Sequence, residues 1–277
     1  MGTTIIIDID SDDDLSFIEN MIFDCNDKWS LYNESSLLNK INNSNDFVNV
    51  DSDTLEIIKA SILYSKNTDG FFDITTAKFN LIWKEAIKSK KLPKVIKSSA
   101  GDRKIIIKGN SVKVLEPIDF GGIAKGFILD KLVGILNGVG IINLGGTIHV
   151  FGSSIVGIRN PFKPMNDSFN SDYVIKLNLD NESIVTSGKY EQEFVKDGIS
   201  FSHIINPKTG YPCCSDLISV SLVGNNACMM DAYATAIFNM NLEDSVNLLK
   251  KNNLGGVFIF KDGNMFITDN LKGKVVV

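Results

Sequence analysis

Two short turns constrain this chain more than any other feature. Gly109-Asn110 joins the apolar segment Lys104–Ile107 to Val112–Leu115, and Asp262-Gly263 turns Val257–Phe260 back into Met265–Ile267. Such dipeptides suit tight two-residue hairpins, so the strands they join must pair antiparallel. Further strands are expected at Thr4–Ile9, Tyr173–Leu179 and Ser219–Val223, and at Ile141–Phe151 with an interruption at Gly145-Gly146. Helical spacing appears in Leu15, Ile18, Ile22 and Cys25, over Thr54–Lys66 with Leu55, Ile58 and Ile62 on one side, over Ile123–Leu136, and again over Met230–Met240 and Glu243–Lys251. No repeat, low-complexity segment or linker divides the chain, so residues 1–277 are expected to form a single domain. The fold class is α+β (mixed α/β), with antiparallel hairpins among helices.

Charge and cysteine usage exclude several functions. A net charge of −5 leaves no basic stripe for phosphate contacts, so nucleic acid is not an expected partner. The densest basic run, Lys84–Lys97, reads as a solvated helix end and loop. Cys25, Cys213, Cys214 and Cys228 lack zinc-site spacing, and buried reduced thiols are the expectation. No segment reaches transmembrane length.

Five strings can carry chemistry. His203 lies in SFSHIINPKTGYP (200–212), where it is either a base beside Lys208 or a histidine bonded in an ordinary turn. DFGGIAKG (119–126) sits at a strand-to-helix junction, where glycines, a helix N-terminus and Lys125 suit a phosphate, although it is not a P-loop. In DAYAT (231–235), Asp231 and Thr235 are four apart and share a helix face, as oxygen ligands for Mg²⁺ or as a helix cap beside a packed threonine. The acids Asp8, Asp10, Asp12 and Asp14 with Glu19 resemble a calcium loop, but Asp13 stands where such a loop needs glycine, so they are read as complementing the next helix. Trp29, Tyr32, Phe71, Phe72 and Trp83 serve either to sandwich a heterocycle or to fill the core.

Taken together, the strings resemble the ApbE family, the FAD:protein FMN transferases. The matching motifs are Met1-Gly2-Thr3, WSLYNESSLLNKIN (29–42), TDGFFDIT (68–75), DFGGIAKG, INLGGTIHVFG (142–152), TSGKYEQEF (186–194), SHIINPKTGYP (202–212) and DAYATA (231–236), in order along essentially the whole chain. The resemblance implies a flavin transferase fold, with antiparallel sheets flanked by helices and a FAD cleft between lobes. It also implies Mg²⁺-dependent transfer of the FMN half of FAD, as a phosphoester, to a threonine hydroxyl of an acceptor protein, with release of AMP. Carried over by position, it assigns the metal to the Gly122 carbonyl, the Asp231 carboxylate, the Ala234 carbonyl and the Thr235 hydroxyl. It lines the FAD cleft with Met1, Tyr32, Phe71, Phe72, Asp73, Asp119, Lys125 and Ile205, and makes His203 the base.

Two other functions fit the same residues. A Mg²⁺-dependent FAD pyrophosphatase would use water as nucleophile, and a flavin-binding carrier could dispense with His203 and the metal ligands. Members of the family are commonly exported, often as lipoproteins. With Met1 opening the first motif and no leader seen, the chain as it stands is expected in the cytoplasm, and a leader removed upstream would return it to the exported or lipid-anchored class.

Overall fold

The computed structural model describes residues 4–11, 16–93, 99–163, 173–189, 193–196 and 199–276. Its first half is mainly helical: β1 (Ile6–Asp10), α1 (Ser16–Lys28), α2 (Leu37–Asn43), β2 (Val48–Asn49), α3 (Ser52–Asn67), α4 (Ala77–Ser89), β3 (Ile105–Lys108), β4 (Ser111–Val114) and α5 (Ala124–Val133). The second half is mainly strand. It begins with β5 (Val139–Asn143), β6 (Thr147–Phe151), β7 (Ser153–Arg159), β8 (Tyr173–Asp180) and β9 (Ser183–Gly188). Then come β10 (Glu193–Lys196), β11 (Ile199–Ser202), β12 (Ile205–Asn206), β13 (Tyr211–Pro212) and β14 (Leu217–Gly224). Helices α6 (Ala227–Ile237) and α7 (Leu242–Lys251), strands β15 (Gly255–Phe260) and β16 (Met265–Ile267), α8 (Asp269–Lys272) and β17 (Val275–Val276) complete it.

The central sheet has seven strands in the order β1-β5-β6-β9-β14-β15-β16, and every neighbouring pair is antiparallel. Both faces are covered, which explains the apolar content of its inner strands. In β14 the period of two sends Val220 and Leu222 into the large core shared with α5 and α6, and Val223 into a second core. That second core lies against a three-stranded sheet, β17-β8-β7, through Leu177, Leu179, Val156 and Ile158. Burying each such aliphatic side chain contributes about 2 kcal/mol. Helix starts are set by side-chain caps: Ser36 Oγ accepts from Asn39 N at 3.0 Å, Asp51 Oδ1 from Thr54 N at 3.0 Å, and Asn241 Oδ1 from Asp244 N at 2.8 Å.

The hairpins fall where their turns place them, with β3 paired to β4 and β15 to β16. The expected Ile141–Phe151 strand divides into β5 and β6, because Gly145 and Gly146 take φ values of 74° and 87°. Several boundaries move. The first strand is Ile6–Asp10 rather than Thr4–Ile9. Helix α5 begins at Ala124 and stops at Val133 before Gly134, short of Leu136. Helix α6 begins at Ala227, not Met230, because Asn226 Oδ1 accepts from Met229 N at 2.7 Å; Asp231 therefore lies inside the helix and does not cap it. Asp8 and Asp10 stand exposed on a strand, which removes the geometry of a calcium loop, and Asp12 to Asp14 lie outside the described residues. Cys25, Cys213 and Cys228 are buried free thiols, whereas Cys214, the second residue after β13, is exposed, contrary to the expectation for all four. No helix among the described residues is long and apolar enough to cross a membrane.

Candidate active site

A cleft of about 1720 Å³ opens between the β1–β5–β6 end of the large sheet, the N-terminus of α5, and the segment that follows β11. Tyr32, Phe71, Phe72, Asp73, Asp119, Gly122, Lys125, His203, Ile205, Asp231 and Thr235 all line it. Ala234 is fully buried behind this surface, and Met1 lies outside the described residues.

The helical wall is built by two helices that cap each other. Glycine at position 126 lets α5 touch the start of α6, since a Cβ there would stand 2.2 Å from the Ala227 carbonyl oxygen. Across this contact Asp231, on α6, accepts the Gly126 N–H at 3.0 Å, in the first turn of α5 where that donor has no partner within its own helix. In return Asp130, on α5, accepts the Ala227 and Cys228 N–H groups at 2.8 Å each, in the first turn of α6. Burial pushes the Asp130 carboxyl above its ordinary pKa, against the lowering effect of those two bonds.

The same packing gathers hard oxygen donors. Asp231 is 3% exposed, one turn from Thr235, whose hydroxyl donates to the Asp231 carbonyl at 3.2 Å. A Cβ on Gly122 would stand 2.9 Å from Thr235 Oγ1, so the glycine permits this approach. The Phe238 N–H turns to the Ala236 carbonyl, so the Ala234 carbonyl is not taken by its usual helical donor. One carboxylate, one hydroxyl and backbone carbonyls fit Mg²⁺, which takes few protein charges and completes its octahedron with water and phosphate. Among the described residues no cluster of three or more His, Cys, Asp or Glu offers an alternative centre.

Next to this wall, Asp119 is held in the DFGG turn. Its Oδ1 accepts the Gly121 N–H at 3.0 Å and its Oδ2 the Asn80 side-chain amide at 2.8 Å, while its own N–H donates to the Ile74 carbonyl at 2.8 Å. Lys125 Nζ reaches the Gly145 carbonyl at 3.4 Å. Asp73 is turned inward: Oδ1 accepts from the Thr75 N–H at 2.8 Å and its hydroxyl at 2.6 Å, and Oδ2 accepts from the Ser65 hydroxyl at 3.1 Å. Burial raises its pKa despite these donors.

A second wall carries His203, half-buried between β11 and β12. Ser202 and Cys213 meet at 3.7 Å before it, and the Cys213 N–H donates to the Ile204 carbonyl at 2.9 Å after it. The hairpin turns at Gly210, φ 75°, whose carbonyl accepts from Trp83 Nε1 at 2.8 Å. The Trp83 ring stacks on Phe201 at 5.5 Å and meets Tyr211 edge-on at 5.5 Å. Ile205 is fixed through its carbonyl, which accepts from the Asn239 amide at 3.3 Å.

The five aromatic candidates separate by exposure. Trp29, Phe72 and Trp83 are buried; Trp29 meets Phe120 and Phe127 edge-on and donates to Thr54 Oγ1 at 2.9 Å. Tyr32 is 63% exposed and Phe71 is half-buried, and each ring is covered by an ammonium, from Lys84 at 3.4 Å and Lys208 at 3.7 Å. Lys208 also pairs with Asp69 at 3.1 Å. The second histidine, His149, is buried on β6, with Nδ1 at 2.9 Å from Ser183 Oγ, and burial lowers its pKa. The sequence reading passed over Asn80 and Asn143, which hold cleft backbone and carboxylate in place.

Residues 1–258 match the family model described as the ApbE family. The chain belongs to the ApbE family. A "FAD:protein FMN transferase" of Haemophilus influenzae is 26% identical over 274 residues, covering 91% of this chain and 79% of that protein. A protein of the same name from Klebsiella pneumoniae is 30% identical over 156 residues, 54% of this chain; the match spans 48% of that relative, about half its length. Among solved structures, the ApbE protein of Thermotoga maritima superposes with a TM-score of 0.83 at 26% identity, over 99% of this chain and 96% of the other. In this ApbE chain the DFGGIAKG, SHIINPKTGYP and DAYATA strings thus converge on one cleft.

Proposed function

We propose that the chain transfers the FMN half of FAD to a threonine hydroxyl of an acceptor protein, with Mg²⁺, and releases AMP. The observation that carries this reading is that Lys125, Asp231, Thr235 and His203 line one cleft. The names of the relatives support its coarser part, the transfer of FMN from FAD to a protein. Tyr32 and Phe71 bring two aromatic rings to the cleft, each with one face under an ammonium and the other for the flat rings of FAD. Lys125 and the N-terminus of α5 neutralise the pyrophosphate. Asp231, Thr235 and the carbonyls of Gly122 and Ala234 would hold Mg²⁺, which when bound supplies positive charge against the phosphoryl oxygens.

In this reading the threonine oxygen attacks the FMN phosphorus in line, and its proton passes to His203. A P–O bond to threonine forms as the bond to the bridging oxygen breaks, and that electron pair leaves on AMP. A base acting during attack is worth about a hundredfold or more for a hydroxyl of such high pKa. Incubation with FAD and Mg²⁺, with and without a threonine-bearing acceptor, tests the proposal by mass spectrometry. Acceptor mass gain equal to FMN together with AMP supports it. FMN and AMP without acceptor modification point to hydrolysis, and unchanged FAD points to a carrier.

A further inference from the structure

Lys125 faces the phosphates in the reading above, yet its ammonium is anchored from the turn between β5 and β6. Nζ donates to the carbonyl of Gly145, in a turn where Gly145 and Gly146 are both left-handed, with φ values of 74° and 87°. Two successive glycines carry no side chain to stiffen such a turn, and their backbone freedom must be restrained from outside. Asn143 restrains it. Its Oδ1 accepts the Gly145 N–H at 2.9 Å and the Gly146 N–H at 3.0 Å, and the Thr186 N–H closes the far side on the Gly146 carbonyl at 2.9 Å. Asn143, both glycines and Thr186 line the same cleft as Lys125.

We infer that Asn143 is a positioning residue that, by fixing the Gly145 carbonyl, aims the Lys125 ammonium at the phosphates of the dinucleotide substrate. The inference rests on the flavin reading of the cleft. Residue chemistry explains why an amide stands here. A carboxylate would accept the same two N–H groups but would add a negative charge to the turn that holds Lys125. The neutral amide shapes the turn and leaves the ammonium's charge for the ligand.

The test measures binding apart from transfer, with FAD and, in parallel, riboflavin, which has no phosphate. Wild type, Asn143→Ala, Asn143→Asp, Lys125→Met and the Asn143→Ala/Lys125→Met double variant are titrated by calorimetry, and melting temperatures are recorded. Asn143→Ala should weaken FAD binding about tenfold, the scale of one charge-assisted contact, and leave riboflavin binding unchanged. The double variant should bind FAD no more weakly than Lys125→Met alone, because Asn143 acts through that lysine. Asn143→Asp should keep the wild-type melting temperature and still lose FAD affinity, which guards against a misfolded alanine variant. Wild-type FAD binding by Asn143→Ala, multiplying losses in the double variant, or equal loss of riboflavin binding overturns the inference alone. Absence of FAD binding by the wild-type protein overturns the flavin reading, and the inference with it.

Discussion

The two walls of the cleft are held by different means. The α5–α6 wall is locked backbone to backbone: Gly126 lies under the Ala227 carbonyl, and each helix lends an aspartate, Asp231 or Asp130, to the free N–H groups of the other. The His203 wall is a short hairpin, β12 with β13, held to α4 by side chains: Trp83 bonds the Gly210 carbonyl and meets Tyr211 edge-on, and Phe79 shares an apolar cluster with Ile205. A wall that must hold several oxygen atoms around a cation gains from close backbone contact, since small displacements alter the donor set. The wall that moves a proton needs one imidazole in place and tolerates exposed neighbours such as Lys208 and Thr209.

Substitutions can break this contrast. The largest effect is expected from Asp231→Ala, which removes both the proposed metal carboxylate and the cap on α5; transfer should fall on the order of a thousandfold, with lowered melting temperature. Asp231→Asn sharpens the point, since an amide oxygen can still accept the Gly126 N–H: stability should return and transfer should not. Next comes Gly126→Ala, expected to cost about 3 kcal/mol in urea unfolding because the added Cβ meets backbone, which cannot turn aside. Gly121→Ala in the same string, where the nearest atom is an ordinary contact at 3.5 Å, should change stability by less than about 0.5 kcal/mol. If the two glycine variants unfold alike, the backbone lock is not what holds the helical wall.

On the hairpin wall, Trp83→Phe removes the bond to the Gly210 carbonyl and part of the stack, an expected loss of about 1–2 kcal/mol. Transfer should drop further than FAD affinity does, because the loop rather than the whole cleft shifts; parallel titration and turnover decide this. The smallest effect concerns His149. Its folded pKa is lowered by burial, so its native state binds fewer protons than the unfolded chain, and its contribution is full above about pH 6.5 and lost as pH falls below. Replacing it with Gln should flatten the fall in melting temperature between neutral and mildly acidic pH.

The contrast between the walls also marks what was legible in the sequence. The hairpin wall is coded locally: Asn206, Pro207, Thr209 and Gly210 spell a turn within a few residues of His203. The hairpins at Gly109-Asn110 and Asp262-Gly263 were legible for the same reason. Helix α6 was placed three residues late, because half of its N-terminal capping comes from Asp130, 97 positions before Ala227. Helix α4 was read only as the end of a helix at its lysines, since the role of Trp83 as a peg under the hairpin depends on Gly210, 127 residues on. Strands β7 and β9 carry serine, threonine and glycine that pattern alone does not assign to a core sheet; pairing with β8 and β14 decides them. Asn143 had a local signal, an Asx residue two positions before a glycine pair, but its link to Lys125 appears only in three dimensions.

The central claim is that both walls serve one reaction, and His203→Ala tests it most directly. FAD affinity by calorimetry and flavin transfer to a threonine-bearing acceptor by mass spectrometry are measured on the same preparation. The account expects affinity within about twofold of wild type and transfer reduced about a hundredfold or more. Transfer at the wild-type rate would contradict it.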